Sequence, residues 1–370
     1  MKLLQKQFEK TCGVLSAIVF LVFCAVPAVA FQGLDPGKAR VDTAGVAWYD
    51  VRLLTVEGKG WEDTEGYYDR LPARARALVR EPVWDLSRNS AGLCVRFRTD
   101  ATELHVCWDG GGGMPHMAAT GRSGVDLYVE QEGQWKFLRV GKPEEGRTSR
   151  RLVRGRPGEP DRYLMYLPLY NRVTEVEIGV PEGAAIAPVP PPAGKPVVFY
   201  GTSITQGGCA SRPGMAYPAI LGRWLDRVTI NLGFSGNGRM EPEVAGLLAE
   251  LDPAAYVIDC IPNVGNKIGE LTGPLVQIIR KRRPGTPILL VEDARIWDEP
   301  ANRELRLAFN RLIEAGDRNV YLLEGKDLLG GYGVEATVDT RHPTDLGFIM
   351  MAKVFEPVLT VLLGTYDPVR

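Results

Sequence analysis

Pro196-Val197-Val198-Phe199-Tyr200-Gly201-Thr202-Ser203 reads as a short strand, apolar on both faces, that stops at a glycine and delivers a hydroxyl. A continuous apolar run of this length between turn residues marks a strand with both faces covered. The same rhythm recurs downstream at Thr229 to Gly233, Ala255 to Ile261, Pro287 to Glu292 and Val320 to Leu323. Helix-like stretches lie between these runs, at about 215 to 226, 241 to 251, 268 to 283 and 299 to 316, with a last one at 345 to 363. Strands alternating with helices predict a parallel sheet wound on both faces, an α/β/α sandwich over residues 197–370. Such sheets bind ligands at the carboxyl ends of their strands, where strand order reverses.

Upstream the text changes. From about 45 to 180, short β-rich runs separated by Gly, Asp, Asn and Pro predict an antiparallel β-sandwich, jelly-roll-like, over residues 31–181. The runs are Leu93 to Thr99, Glu103 to Trp108, Val125 to Gln131, Trp135 to Val140, Tyr163 to Pro168 and Thr174 to Ile178. A hairpin turning at Asp100-Ala101 would set Cys94 opposite Cys107 and make a bridge feasible, whereas Cys209 and Cys260, though they could approach each other, read rather as two buried thiols. The arginine run Arg147, Arg150, Arg151, Arg154, Arg156 reads as a solvated loop. Residues 182–196 are too proline-rich for a helix or a central strand and read as a stiff linker.

Residues 1–30 carry Lys2, Lys6 and Lys10, an apolar run from Val14 to Val26 and a small-x-small site at Ala28-Val29-Ala30. That pattern predicts a cleaved signal peptide, a secreted or periplasmic protein and no stable membrane insertion after cleavage. The formal net charge of −1 gives no basic field for nucleic acid. Six cysteines in 370 residues do not make a disulfide scaffold.

The strand ends carry the chemistry. Ser203 follows the first, Gly233-Phe234-Ser235-Gly236 the second, and Asn263 the third. His342, the one histidine in the second half of the chain, lies in Asp339-Thr340-Arg341-His342. A serine hydroxyl needs an imidazole to take its proton, and the imidazole gains from a carboxylate that fixes its tautomer. Ser203, His342 and Asp339 supply that set, with backbone amides and the Asn263 side chain as donors to an oxyanion. Other chemistries fit less well. No Gly-Lys-Ser/Thr follows the first strand, Gly201, Gly207 and Gly208 lack dinucleotide-binding spacing, and no Gly-x-Ser-x-Gly elbow surrounds Ser203. With one histidine and no cysteine pair at ligand spacing in this half, no metal and no cofactor is expected.

At these residues the chain resembles the SGNH (GDSL-type) hydrolases: Gly201-Thr202-Ser203 is similar to their first block, Gly236 to the second, Asn263 to the third and Asp339 with His342 to the last. The resemblance implies a flavodoxin-like fold, Ser203 as nucleophile, His342 as base, Asp339 as its partner, and an oxyanion hole of Ser203, Gly236 and Asn263. Thr202 stands where the family often has Asp, and Ile261 and Val264 replace the Gly and Asp flanking the asparagine; these departures bear on substrate preference more than on the reaction. Residues 201 to 214, with Gly124-Val125-Asp126-Leu127-Tyr128 earlier, resemble a narrower exported group with an amino-terminal Gly-x-Asp-Leu-Tyr β domain. Similar two-domain chains include esterases that deacetylate plant polysaccharides, so the resemblance implies a small-molecule or polysaccharide ester as partner.

Substrate-binding candidates are His116, in the loop Gly110 to Met117, and Arg212; Trp108, Trp135 and Trp297 are candidates for stacking on sugar rings. The expectation is an exported serine esterase acting on carboxylic esters, acetyl esters of carbohydrate foremost. The alternatives are a lipid-ester or thioester hydrolase on the same site, or a carbohydrate-binding protein with an inactive hydrolase domain.

Overall fold

The computed structural model describes residues 31–295 and 299–364; the leader read over residues 1–30, and Trp297, lie outside them. Two antiparallel sheets come first. One has the order β1-β2-β10-β5-β8, from β1 (Arg40–Val41), β2 (Val46–Asp50), β10 (Val176–Pro181), β5 (Glu103–Gly110) and β8 (Gly146–Arg154). The other has the order β11-β4-β9-β6-β7, from β11 (Ile186–Pro188), β4 (Cys94–Thr99), β9 (Asp161–Tyr166), β6 (Val125–Gln131) and β7 (Gln134–Gly141), with β3 (Thr55–Glu57) also paired to β4. Alternate residues of both sheets, among them Phe97, Val106, Trp108, Leu127, Met165 and Ile178, point inward and form one apolar core.

Three local expectations need correction. β4 and β5 are not a hairpin: they lie in opposite sheets. Asp100 accepts a hydrogen bond from the Ala185 amide (2.8 Å), and Thr99 donates one to the Ala185 carbonyl (2.6 Å), so the end of β4 is tied to the residue before its own edge partner β11 and not to β5. Cys107 therefore faces Glu177 and Ser149 rather than Cys94. All four described cysteines are buried free thiols. From Arg147 to Arg154 the arginine run is not a loop but part of the edge strand β8; only Arg156 lies beyond it. Thr148, Leu152 and Val153 turn inward, while Arg147 reaches Glu177 (3.0 Å) and Arg151 reaches Glu103 (3.3 Å) across the strand pairs. Within the proline-rich stretch, Ile186–Pro188 forms β11, and its proline is tolerated because the strand is an edge.

The third sheet is parallel, in the order β13-β12-β14-β15-β16, from β12 (Val197–Gly201), β13 (Thr229–Gly233), β14 (Ala255–Asp259), β15 (Ile288–Val291) and β16 (Val320–Leu323). Alternation along β12 sends Val198 and Tyr200 to one face and Val197 and Phe199 to the other. The first face is covered by helices Pro242–Glu250, Ile268–Arg282 and Glu299–Glu314, the second by Tyr217–Trp224 and Asp345–Leu362. The chain is thus a three-layer α/β/α fold with an antiparallel β domain before it. Among the described residues no helix is long and apolar enough to cross a membrane.

The β part does not hang from the α/β part; it shares its cores. Leu71, Val83 and Trp84 pack into one flank of the parallel sheet, and Ala91, Met117 and Leu169 into the other. Arg70 is almost fully buried. Its guanidinium donates to the carbonyls of Leu86 (2.7 Å) and Asn89 (2.8 Å) on its own side, and to Asn231 (3.0 Å) and Gly233 (2.8 Å) at the end of β13. Burial pushes it down to about 9, still protonated at neutral pH. Arg70→Met should lower the free energy of unfolding by about 3 kcal/mol or more, because four carbonyls lose their charged donor. Urea unfolding measures this, and a loss under about 1 kcal/mol would refute the clamp.

The Gly124 to Tyr128 motif makes a second fastening. Asp126, fully buried, accepts from the Gly214 amide (3.0 Å) and from Arg212 (2.7 Å), and Arg212 also donates to the Tyr128 hydroxyl (2.5 Å). Burial pushes the Asp126 carboxyl up to about 6 against the pull of Arg212. A side chain at Gly214 would collide with the Tyr128 hydroxyl at 2.5 Å, so the motif and the glycine fit only together.

Candidate active site

β12 has β13 on one side and β14 on the other, so the strand order reverses at its carboxyl end. Ser203 opens the short helix Ser203–Gln206 there, and the Thr202 hydroxyl caps it by accepting from the Ile204 amide (3.3 Å). The turn needs glycine: a Cβ on Gly201 would lie 2.0 Å from Thr205 Oγ1, and one on Gly238 would lie 2.1 Å from the Gly201 carbonyl.

Ser203 Oγ lies 2.9 Å from His342 Nε2, and His342 Nδ1 lies 2.8 Å from Asp339 Oδ2. The loop that brings the last two together turns at Thr340, whose φ of 67° is left-handed. Asp339 Oδ1 accepts the backbone amides of His342 (2.8 Å) and Arg341 (3.1 Å), which fixes the carboxylate before it meets the ring. Partial burial raises its pKa, but the His342 amide and ring with the Arg341 amide outweigh that, and the carboxyl falls to about 2. Asp339 is therefore ionised wherever the protein is folded at ordinary pH. Its contribution to stability is complete above about pH 4, the unfolded value, and is lost as pH falls through about 2.

Donors converge on the same rim. As first residue of its helix, Ser203 has an amide with no intrahelical acceptor. Gly236 adopts φ 69° with open space around it. Asn263 Oδ1 accepts from the Gly238 amide (3.1 Å), which leaves the amide nitrogen of Asn263 for the pocket. The pocket, about 230 Å³, is lined by Ser203, Ser235, Gly236, Asn263, Arg341 and His342 among others. It is smaller than the roughly 300–1,000 Å³ typical of drug-sized ligand sites. A carbonyl held against Ser203 would meet a nucleophile, a base and preset donors, the requirements of acyl transfer.

The sequence-predicted substrate candidates fare differently. His116 reaches over from the β part: its ring centroid is 5.5 Å from that of His342, and its carbonyl accepts from the Cys209 thiol (3.2 Å). Arg212 does not line the pocket; it is committed to Asp126 and Tyr128. Trp108 is in the sandwich core, donating to the Ser123 carbonyl (2.8 Å), and is no sugar platform. Trp135 lines a different groove, beside Trp224 and Lys353.

Gln206 and Tyr170 escaped the sequence reading. Gln206 accepts from the Ser235 amide (3.0 Å) and donates to the Leu169 carbonyl (3.0 Å), tying the Gly236 loop to the Ser203 helix and both to the β part. Tyr170 donates to the Ser203 carbonyl (3.2 Å). Gln206 lies three residues past Ser203, where one helical turn places a side chain beside the nucleophile, and that spacing was its only signal.

Metal-donor atoms of His116, Cys209 and His342 lie within 4.8 Å of one another. The set suits a metal poorly. Both ring nitrogens of His342 are engaged by Ser203 and Asp339, and burial pushes the Cys209 thiol up to about 11, whereas a metal binds the thiolate.

Comparison with known proteins bears on the family and the fold. Residues 194–360 match the GDSL-like lipase/acylhydrolase family, and residues 46–186 match the GxDLY amino terminus of SGNH-hydrolase-type esterases. A crystal structure from Bacteroides ovatus, described as a GDSL-like lipase, is 34% identical, with TM-score 0.82, over 86% of this chain and 98% of that one. The chain belongs to the GDSL-like lipase/acylhydrolase family. More distant likenesses share the fold. One is a salicylyl acyltransferase from a tetracycline biosynthetic pathway, at 20% identity and TM-score 0.67 over 86% of this chain and 96% of that one. Another is an acetyl xylan esterase from the rumen bacterium Butyrivibrio proteoclasticus, at 14% identity and TM-score 0.56 over 87% and 100%. No curated protein sequence matches the chain.

Proposed function

We propose that the protein is an exported serine esterase that removes small acyl groups, acetyl foremost, from carbohydrate. The observation that carries the reading is the continuous relay from Ser203 Oγ to His342 Nε2 (2.9 Å) and from His342 Nδ1 to Asp339 Oδ2 (2.8 Å), open to a pocket with oxyanion donors. Ser203 attacks the ester carbonyl carbon while His342 takes the hydroxyl proton; the oxyanion rests on the amides of Ser203 and Gly236 and on Asn263. As the ester C–O bond breaks, His342 returns that proton to the leaving alcohol. Water then attacks the acyl-serine, again through His342, and the free acid leaves. The small, polar-lined pocket favours a short acyl group over a lipid chain. The carbohydrate part of the reading is supported by fold likeness to an acetyl xylan esterase, and export by the leader pattern of residues 1–30.

Release of acetate from p-nitrophenyl acetate and from an acetylated polysaccharide tests the proposal. Turnover of both is expected; a folded protein that turns over neither would overturn it. Asn263→Ala should lower kcat by about 10²- to 10³-fold with a small change in KM, since the amide acts on charge that develops in the transition state. Steady-state kinetics decide, and a change of less than about threefold would remove Asn263 from the oxyanion site.

A further inference from the structure

We infer that the natural substrate is an ester whose alcohol part carries an anion, a uronic acid residue or its equivalent, and that Arg341 recognises it. The inference rests on the esterase reading above and narrows its substrate class.

The charge around the pocket is one-sided. Among the lining residues are two arginines, Arg295 and Arg341, and no carboxylate. Arg239, also exposed, flanks the oxyanion loop and donates to the Gly236 carbonyl (3.0 Å). The neighbouring acids are committed elsewhere. Asp293 holds Arg295 through two contacts of 2.8 Å, and Glu292 holds Arg306 and the Gly325 amide (3.0 Å). Asp259 is buried against the hydroxyls of Tyr217 (3.1 Å) and Thr205 (3.3 Å), and Asp339 faces His342. Arg341 differs from Arg295. Its backbone amide bonds Asp339, but among the described residues its guanidinium has no carboxylate or carbonyl partner, and the residue is exposed at the pocket wall.

Position gives the cation its role. The leaving oxygen must lie against His342 Nε2 to receive its proton, whereas the oxyanion points at Gly236 and Asn263. The alcohol therefore occupies the His342 side of the pocket, the side on which Arg341 stands one residue away in the same turn. A guanidinium there offers a forked pair of donors to a carboxylate on that alcohol. A neutral sugar would leave the cation solvated and gain nothing from it.

The experiment compares two substrates acetylated at the same hydroxyl, a methyl galacturonoside and the corresponding neutral methyl galactoside, with p-nitrophenyl acetate run alongside. Wild type should favour the acidic substrate by about tenfold in kcat/KM, mostly through KM, and the preference should shrink as NaCl is raised toward 1 M. Arg341→Gln should bring the ratio near one, Arg341→Lys should keep part of it, and Arg341→Glu should invert it. No preference in wild type, or a preference that Arg341→Gln leaves intact, would overturn the inference while p-nitrophenyl acetate turnover upholds the esterase. Absence of turnover of p-nitrophenyl acetate and of both sugar acetates by folded wild type would overturn the esterase reading, and this inference with it.

Discussion

Ser203→Ala is expected to lower kcat toward p-nitrophenyl acetate by at least about 10⁴-fold while leaving the unfolding transition in place. The size follows from the relay. Removing Oγ deletes the attacking atom and leaves His342 with no proton to accept, so only the oxyanion donors and binding act on the ester. The fold should not notice. Ser203 Oγ bonds only His342, whose ring stays held by Asp339 (2.8 Å), and the helix cap comes from Thr202. Residual activity within about a hundredfold of wild type, with contaminating esterase excluded by a second purification, would mean that the nucleophile lies elsewhere.

Asp339→Asn should cost nearly as much, about 10⁴-fold in kcat, and for a different reason. The carboxylate accepts on both oxygens: Oδ2 from the imidazole, Oδ1 from the amides of His342 and Arg341. An asparagine keeps one acceptor. The two backbone amides would claim it, turning the NH₂ toward the ring, and a donor facing Nδ1 selects the tautomer that protonates Nε2. Ser203 would then meet an N–H rather than a base. pH separates this from a general loss of structure. With the Asp339 carboxyl held down to about 2, protonation of that carboxylate cannot account for a loss of wild-type activity between pH 4 and 7. A profile whose acid limb moved with the carboxylate, or an Asp339→Asn variant within tenfold of wild type, would contradict a tautomer-fixing role for Asp339.

Much of the site is legible in the sequence because its parts are local. Strand end, glycine and hydroxyl occupy three consecutive residues at 201–203, and base and carboxylate share a single turn at 339–342, so each half of the relay is written in one short word. The parallel sheet is legible for the same reason, since a strand buried on both faces is an uninterrupted apolar run. The β domain is harder. Its edge strand β8 is hidden in arginine-rich, polar text because only Thr148, Leu152 and Val153 are buried, while Arg147 and Arg151 answer carboxylates on neighbouring strands, a pairing invisible until the strands are in register. Arg212 misled for a related reason. Its position nine residues past Ser203 suggested substrate, whereas its partners, Asp126 and Tyr128, arrive from a different domain. Arg70 gave no signal at all: a lone arginine in loop text reads as surface, and what buries it is four carbonyls, which every residue possesses.

That last side chain has an implication for how such proteins can be built or inherited. The Gly236 loop starts where β13 ends, and the carbonyl of Gly233 at that end is held by an arginine from the other domain. The hydrolase portion is consequently not an interchangeable cassette. A chimaera joining it to a foreign β domain would carry every residue of the relay and still leave the Gly233 carbonyl without its arginine, so the loop that bears Gly236 would lose an anchor supplied by the part left behind.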